Sequence, residues 1–220
     1  MTVTVYGGSF DPVHNGHLAV AQQVCDALSL TRLSFLPAYR PPHKSTLSSL
    51  AAHRIAMLEL ALADDSRLSI DQRELSSNQR SYTVSTMQRV RESLPDTTQV
   101  NFVMGWDSLQ QLHTWWQWQR LFTLVNIIVV GRPGYAACVS HELESELRSR
   151  RAATNTLSQP CGQVLVLTDS GHDIASSTLR AALIAPQQHQ SLLKNSLNPA
   201  VLAYIQAHGL YNFGSTINEL

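Results

Sequence analysis

Residues 3–24 form the most informative stretch of the chain and read VTVYGGSFDPVHNGHLAVAQQV. The β-branched and apolar run at residues 3–6 is typical of a buried strand, and residues 18–24 read as a helix. Between them lie three glycines, a proline and two histidines. The stretch therefore predicts a strand, a tight loop and a helix, the first unit of an α/β fold. In such folds, nucleotides commonly bind where the strand passes into the helix.

The composition narrows the class of protein. The 220 residues include 16 Lys plus Arg and 16 Asp plus Glu, which gives a formal net charge of +0. Binding to nucleic acid is disfavoured because that affinity depends on many basic contacts to phosphates. The sequence has no apolar run long enough to span a bilayer and no CxxC pair. We expect one domain over residues 1–220, soluble and cytoplasmic, with buried thiols at Cys25, Cys138 and Cys161.

Short apolar or β-branched runs recur along the chain, separated by stretches long enough for helices. They lie at residues 3–6, 32–36, 68–70, 100–104, 126–130 and 164–168. This alternation predicts an α/β fold with a mainly parallel sheet and helices on both faces. The predicted long loops are residues 37–49 and 131–137, which contain most of the turn-forming residues between these elements.

Several helices have recognisable boundaries. Residues 50–62 predict a helix with Leu50, Ile55, Leu58 and Leu62 on or near one stripe. Residues 83–93 predict another, which ends before a proline.

Two later helices have recognisable starts. Ser176, Ser177 and Thr178 form the predicted cap region of a helix that continues to residue 184. Asn198 is the predicted cap of a helix with Pro199 at its first position.

His14 and His17 stand three residues apart at the predicted start of the first helix. Two imidazoles beside the free N–H groups of a helix end form a site suited to an anion such as phosphate. For an isolated pair, surface histidines or metal ligands are the simpler interpretations, although a zinc site needs three or four ligands. The glycines before the pair and the strand-to-helix context favour phosphate. Neither GxxxxGKS/T nor GxGxxG occurs in the chain.

Residues 7–17 resemble the GG(S/T)FDPxHxGH motif of the HxGH nucleotidylyltransferase superfamily. Within it the chain is similar to the bacterial nicotinate-nucleotide adenylyltransferases, and the similarity extends over nearly its whole length. It includes residues 40–44 (RPPHK), 81–83 (SYT), 104–109 (MGWDSL), 131–135 (GRPGY) and 174–180 (IASSTLR). The resemblance implies a single nucleotidylyltransferase domain with a Rossmann-like, doubly wound sheet.

The resemblance also implies an ATP half of the site. Its expected catalytic residues are His14, His17, Arg180 and Lys44, where Arg180 matches the arginine of the family's ISSTxIR motif. The remaining expected ATP-binding residues are Gly7, Gly8, Ser9, Phe10, Ser176 and Ser177. Ala175 departs from the motif by replacing its first serine, so the sequence leaves open which hydroxyl among residues 176–178 contacts phosphate. Lys44 read without the family motif is as readily a solvated loop residue.

The second half of the expected site binds nicotinate mononucleotide. Trp115 matches the family's ring-stacking tryptophan, and backbone amides at Thr83 and Trp116 match the donors to the nicotinate carboxylate. Gly105 and Asp107 at the end of the fourth strand, with Lys44 and Arg132, complete the expected set. Read without the resemblance, a tryptophan cluster is more often core than ligand site, and Trp118 fits that interpretation. Ser85 stands where the family often has aspartate.

The expected reaction joins ATP and nicotinate mononucleotide to form nicotinate adenine dinucleotide and pyrophosphate, with Mg²⁺ carried on the phosphates. No protein metal ligands are expected, and a homodimer is compatible with the resemblance. Three alternatives stay open: a nicotinamide-mononucleotide adenylyltransferase, a phosphopantetheine adenylyltransferase, and a non-catalytic nucleotide-binding protein of the same fold.

Overall fold

A six-stranded parallel sheet organises the chain in the computed structural model, which describes residues 1–39, 48–75, 82–131, 139–168 and 174–214. Its strands are β1 (Thr2–Gly8), β2 (Leu33–Pro37), β3 (Leu68–Ile70), β4 (Gln99–Gly105), β5 (Asn126–Gly131) and β6 (Val164–Thr168). They lie in the order β3-β2-β1-β4-β5-β6, and all five neighbouring pairs are parallel. The predicted α/β, Rossmann-like doubly wound fold is confirmed.

Helices cover both faces of the sheet. They are α1 (Asn15–Ala27), α2 (Ala51–Leu62), α3 (Thr83–Glu92), α4 (Trp106–Gln110), α5 (His141–Arg150), α6 (Ser176–Ile184), α7 (Gln190–Ser196) and α8 (Pro199–Ala207). Side chains alternate between the faces along each strand, so Val103 joins the core under α1, α2, α6, α7 and α8. Its neighbours Phe102 and Met104 join the core under α3 and α4. Short 3-10 helices span Leu112–Thr114, Trp118–Thr123 and Leu210–Asn212.

The buried face of α2 differs from the predicted stripe. Leu50 is 73% exposed, whereas Arg54 is 1% exposed. The face that packs inward consists of Arg54, Met57, Leu58, Ala61 and Leu62. An arginine occupies this face because its guanidinium finds a backbone carbonyl as partner, which hydrophobic periodicity does not register.

The two predicted helix caps have different outcomes. The Asn198 side chain accepts a hydrogen bond from the Ala200 N–H at 2.8 Å with Pro199 in the first turn, so this prediction is confirmed. The N-cap of α6 is Ala175, and no side chain caps this helix end. The prediction that residues 176–178 form a cap was therefore wrong, because Ser176 already has helical backbone.

The cysteine side chains differ in burial. Cys25 is buried as predicted, but Cys161 is partly exposed, and Cys138 lies outside the described residues. Among the helices that the structure describes, none is long and apolar enough to cross a membrane.

Candidate functional site

A cleft of about 580 Å³ opens at the carboxyl ends of β1 and β4. Connections from these two neighbouring strands lead to opposite sides of the sheet, and such a reversal point leaves a crevice in which ligands bind. The sequence-predicted site residues that line it are Gly7, Gly8, Ser9, Phe10, His14, His17, Thr83, Gly105, Asp107, Trp115, Trp116, Ser176, Ser177 and Arg180. Lys44 and Arg132 lie outside the described residues.

The paired glycines are required by the packing of two phenylalanine rings. A Cβ atom on Gly7 would lie 2.4 Å from the Phe102 ring, and one on Gly8 would lie 2.8 Å from the Phe10 ring. Both distances are shorter than any ordinary contact, so a side chain at either position forces a ring to move. Phe10 itself has a φ of 48°, a left-handed conformation that is uncommon for a residue with a side chain. The glycines therefore let the loop fold tightly over the sheet beside the cleft.

His14 and His17 form a stacked pair at the start of α1. His14 is the N-cap residue and has extended backbone, while His17 lies in the first helical turn. Their ring centroids are 3.7 Å apart, and the His17 ring also makes an edge-to-face contact with Phe10. The His14 N–H donates to Nδ1 of His17 at 3.2 Å. Because Nδ1 accepts, the neutral His17 ring has its proton on Nε2, which makes that atom a hydrogen-bond donor.

The start of α6 lies directly against this loop. The Ser176 hydroxyl donates to the Pro12 carbonyl at 3.1 Å. Ser177 is exposed and lines the cleft, whereas Thr178 is exposed without lining it. Of the three residues whose hydroxyls the sequence left undecided, Ser176 and Ser177 line the cleft, and the Ser176 hydroxyl already donates to the loop.

Arg180, one turn further along α6, also contacts the loop. Its Nη1 donates to the Asp11 carbonyl at 2.7 Å. A guanidinium has five N–H donors, so one bond to a carbonyl leaves donors for an anion in the cleft. The contact places Arg180 beside the histidine loop although the two are more than 160 residues apart in the chain.

The other half of the cleft contains the predicted mononucleotide residues. Thr83 is the first residue of α3, which has no acidic residue in its own first turn, and the buried Glu74, which also lines the cleft, accepts from the Thr86 hydroxyl at 2.7 Å. Asp107 lies in the first turn of α4. Trp115 and the half-exposed Trp116 line the cleft, and Tyr82 contacts Trp116 at a ring distance of 5.2 Å.

The tryptophan cluster thus divides between two roles. Trp118 is 5% exposed and packs against Phe122 in the core, as its core interpretation predicts. Trp106 lines the cleft too and lies against Gly131, although sequence reasoning assigned it no role.

Sequence reasoning also missed a buried polar group beneath the loop. The Arg54 guanidinium donates to the Ser9 carbonyl at 2.8 Å. Burial lowers the pKa of Arg54, and the nearby Asp11, Tyr211 and Glu74 oppose that shift. Asp11 and Glu74 are themselves buried. Two features of the sequence could have indicated this buried group: Arg54 lies on the apolar face of α2, and Asp11 lies inside the loop motif.

The fold and the site define a class of protein. It is an α/β protein with a paired-histidine loop and an arginine converging at the reversal point of a parallel sheet. The profile of the cytidylyltransferase-like family matches residues 5–182.

Comparison with known proteins narrows the class. A "probable nicotinate-nucleotide adenylyltransferase" of Laribacter hongkongensis is 37% identical, and the alignment covers 96% of this chain and 94% of that protein. One of Pseudomonas aeruginosa is 36% identical, with 95% and 96% covered. In fold, the chain is similar to the nicotinic acid mononucleotide adenylyltransferase of Plasmodium falciparum complexed with NaAD. The TM-score is 0.77, the identity is 17%, and 98% of this chain and 99% of that one are covered. The chain belongs to the cytidylyltransferase-like family and, within it, to the nicotinate-nucleotide adenylyltransferases.

Proposed function

We propose that this protein transfers the adenylyl group of ATP to nicotinate mononucleotide, a step of NAD biosynthesis. The products are nicotinate adenine dinucleotide and pyrophosphate. The observation that carries the proposal is the convergence of His14, His17 and Arg180 on one end of a cleft whose other end contains Trp115 and Thr83. A cleft with basic groups at one end and an aromatic surface at the other suits a reaction between two nucleotides.

The ATP half is suited to phosphate. The Nε2–H of His17, the Ser177 hydroxyl, the Arg180 guanidinium and the N-terminus of α1 all offer hydrogen-bond donors or positive charge. We propose that these groups hold the phosphates of ATP and stabilise the negative charge that moves onto pyrophosphate. Lys44 is proposed to assist, and Gly7 and Gly8 to keep the loop close to the nucleotide.

The other half is suited to a planar cationic ring with a carboxylate. The indole of Trp115 offers a stacking surface, and a pyridinium gains cation–π attraction there. The positive end of α3 at Thr83 and the backbone amide of Trp116 are proposed to bind the carboxylate. Gly105, Asp107 and Arg132 are proposed to contact the rest of the mononucleotide.

The reaction needs no strong base. A phosphate monoester has a second pKa near 6, so the 5′-phosphate of the mononucleotide is already largely dianionic at neutral pH. One of its oxygens forms a bond to the α-phosphorus of ATP while the bond from that phosphorus to the bridging oxygen breaks. The electron pair leaves with pyrophosphate. Catalysis is then positioning plus charge stabilisation.

Mg²⁺ is proposed to enter as part of the MgATP substrate. The described cleft-lining carboxylates, Glu74 and Asp107, lie outside the histidine loop and α6, which suits phosphate at His17 and Arg180 and leaves the metal to phosphate oxygens and water. A cytoplasmic location and assembly as a homodimer remain predictions.

Pyrophosphate release separates the candidate activities. The purified protein is incubated with MgATP and, in turn, nicotinate mononucleotide, nicotinamide mononucleotide and phosphopantetheine. We expect the highest kcat/KM with nicotinate mononucleotide. Faster turnover of either other acceptor would replace the proposal by that activity, and ATP binding without turnover of any acceptor would identify a non-catalytic nucleotide-binding protein.

A further inference from the structure

The carboxylate of Asp11 joins three separate parts of the chain beneath the histidine loop. Asp11 is 2% exposed, and its Oδ2 accepts from the Ser48 N–H at 2.6 Å. Its Oδ1 accepts from the Ser49 hydroxyl at 2.6 Å and from the Tyr211 hydroxyl at 2.7 Å. The Tyr211 and Ser49 hydroxyls are 3.2 Å apart. We call Asp11, Ser49 and Tyr211 the carboxylate cluster.

Tyr211 reaches Asp11 from a turn that the backbone adopts at a cost. Its φ is 60°, a left-handed conformation that sterically disfavours a residue with a large side chain. Tyr211 is nevertheless buried. Two residues after this short helix, the Gly214 N–H donates to the Leu183 carbonyl near the end of α6. The turn therefore fastens both to the loop and to the helix that contains Arg180.

Asp11 transmits these contacts to the cleft through its own backbone. Its carbonyl accepts from Arg180, and its chain neighbour Phe10 lines the cleft. The hydrogen bonds to its carboxylate hold the Asp11 backbone in place, and a displacement of that backbone would shift both. Of the residues of the mononucleotide half, Thr83 begins α3, and Trp115 packs against the other core, under α3 and α4.

We propose that Tyr211 and Ser49 are positioning residues for the ATP half of the site, acting through the Asp11 carboxylate on the histidine loop and on Arg180. This inference rests on the proposed function and adds to it two residues that do not line the cleft. The hydroxyls are suited to the role because both are neutral donors to a buried anion, and hydrogen bonds to a charged group are strong and directional. Burial also raises the pKa of the Tyr211 hydroxyl well above its usual range, with a further contribution from Asp11, so it stays a donor.

The test compares two tyrosine-to-phenylalanine variants. Tyr211→Phe removes only the hydroxyl bonded to Asp11. The matched control is Tyr204→Phe, which removes the hydroxyl on α8 that pairs with Nδ1 of His53 at 2.9 Å. Neither Tyr204 nor His53 is among the described residues that line the cleft. Tyr204→Phe loses a partly buried hydrogen bond to a histidine, whereas Tyr211→Phe loses a buried one to a carboxylate, so the Tm should fall in both variants and further in Tyr211→Phe.

Steady-state kinetics then separates positioning from stability. We expect Tyr211→Phe and Ser49→Ala each to lower kcat/KM for ATP by roughly tenfold, since a displaced catalytic group is costly. The KM for the mononucleotide should change by no more than about twofold, as in Tyr204→Phe for both substrates. Because the two hydroxyls share one oxygen of Asp11, the double variant should lose less than the product of the single losses.

Each outcome decides the inference. It is overturned if Tyr211→Phe and Tyr204→Phe have the same kinetics at a temperature where both are fully folded, or if the KM values of both substrates rise together. If the wild-type protein releases no pyrophosphate with any acceptor, the proposed function fails, but calorimetric ATP binding still tests the cluster. A Kd for ATP unchanged in Tyr211→Phe would then refute it, and a roughly tenfold weaker Kd would support it.

Discussion

Replacing His17 by alanine gives the most direct test of the histidine pair, because the structure predicts separate effects on rate and on stability. The variant loses the Nε2–H donor proposed to face the phosphates. Loss of one preorganised donor to transition-state charge typically costs about 10²- to 10³-fold in kcat, or about 2.7–4 kcal/mol. We expect kcat for pyrophosphate release to fall within that range.

The stability cost of His17→Ala should be much smaller. The variant loses the acceptor for the His14 N–H and the ring contacts with His14 and Phe10. One hydrogen bond contributes about 0.5–1.5 kcal/mol, so a total of about 1–2 kcal/mol is expected with the partial ring contacts. For a chain of this size that corresponds to a decrease in Tm of about 2–8 °C.

Two further variants make the test decisive. His17→Asn keeps an oxygen acceptor near the position of Nδ1 but cannot reach as far as Nε2, so it should recover most of the Tm and little of the rate. His53→Ala, which removes a histidine that is not among the described cleft residues, should leave kcat unchanged. Near-normal turnover of His17→Ala, measured with the folded variant at saturating ATP and mononucleotide, would refute the assigned role.

Three other perturbations test other parts of the structure. Trp115→Ala should raise the KM for the mononucleotide by about 5- to 100-fold, because the variant loses a stacking surface. The KM for ATP should change little. A raised KM for ATP with an unchanged KM for the mononucleotide would contradict the stacking role. Gly7→Ala places a Cβ atom 2.4 Å from the Phe102 ring, so the free energy of unfolding measured in urea should fall by about 1–3 kcal/mol. An unchanged midpoint of the urea unfolding transition would contradict the packing argument. Burial raises the pKa of the Cys25 thiol to about 11, so little of it is thiolate at pH 8. After treatment with a thiol reagent at pH 8, mass spectrometry should find Cys161 labelled and Cys25 unlabelled. Equal labelling of the two would show that Cys25 is accessible.

Much of the fold was predictable because strands and helices depend on local patterns. All six predicted strands are present, with ends within about two residues of the predicted positions. The cap at Asn198 was predictable for the same reason, since its side chain bonds to a backbone N–H two residues away. Local patterns did not give the strand order, because hydrogen bonding between strands depends on contacts that they do not encode, and only the resemblance to Rossmann-like proteins implied it.

Predictions about individual side chains failed where a partner lies far along the chain. Leu50 fits an apolar stripe but is exposed, and Arg54 interrupts the stripe but is buried against the Ser9 carbonyl. Ser176 has the chemistry of a cap, yet its hydroxyl donates to Pro12, 164 residues earlier. For Arg54 and Ser176, a tertiary hydrogen bond outweighs local propensity.

The same distinction applies to the site. The sequence by itself determined that a glycine loop and two histidines stand between a strand and a helix, because that order is covalent. Only the tertiary structure decided which donors face the cleft and which hold the loop. Tyr211 and Asp11 are 200 residues apart and share a 2.7 Å hydrogen bond. Such a contact exists because folding brings distant polar groups into a low-dielectric interior, where each must find a partner or lose solvation energy.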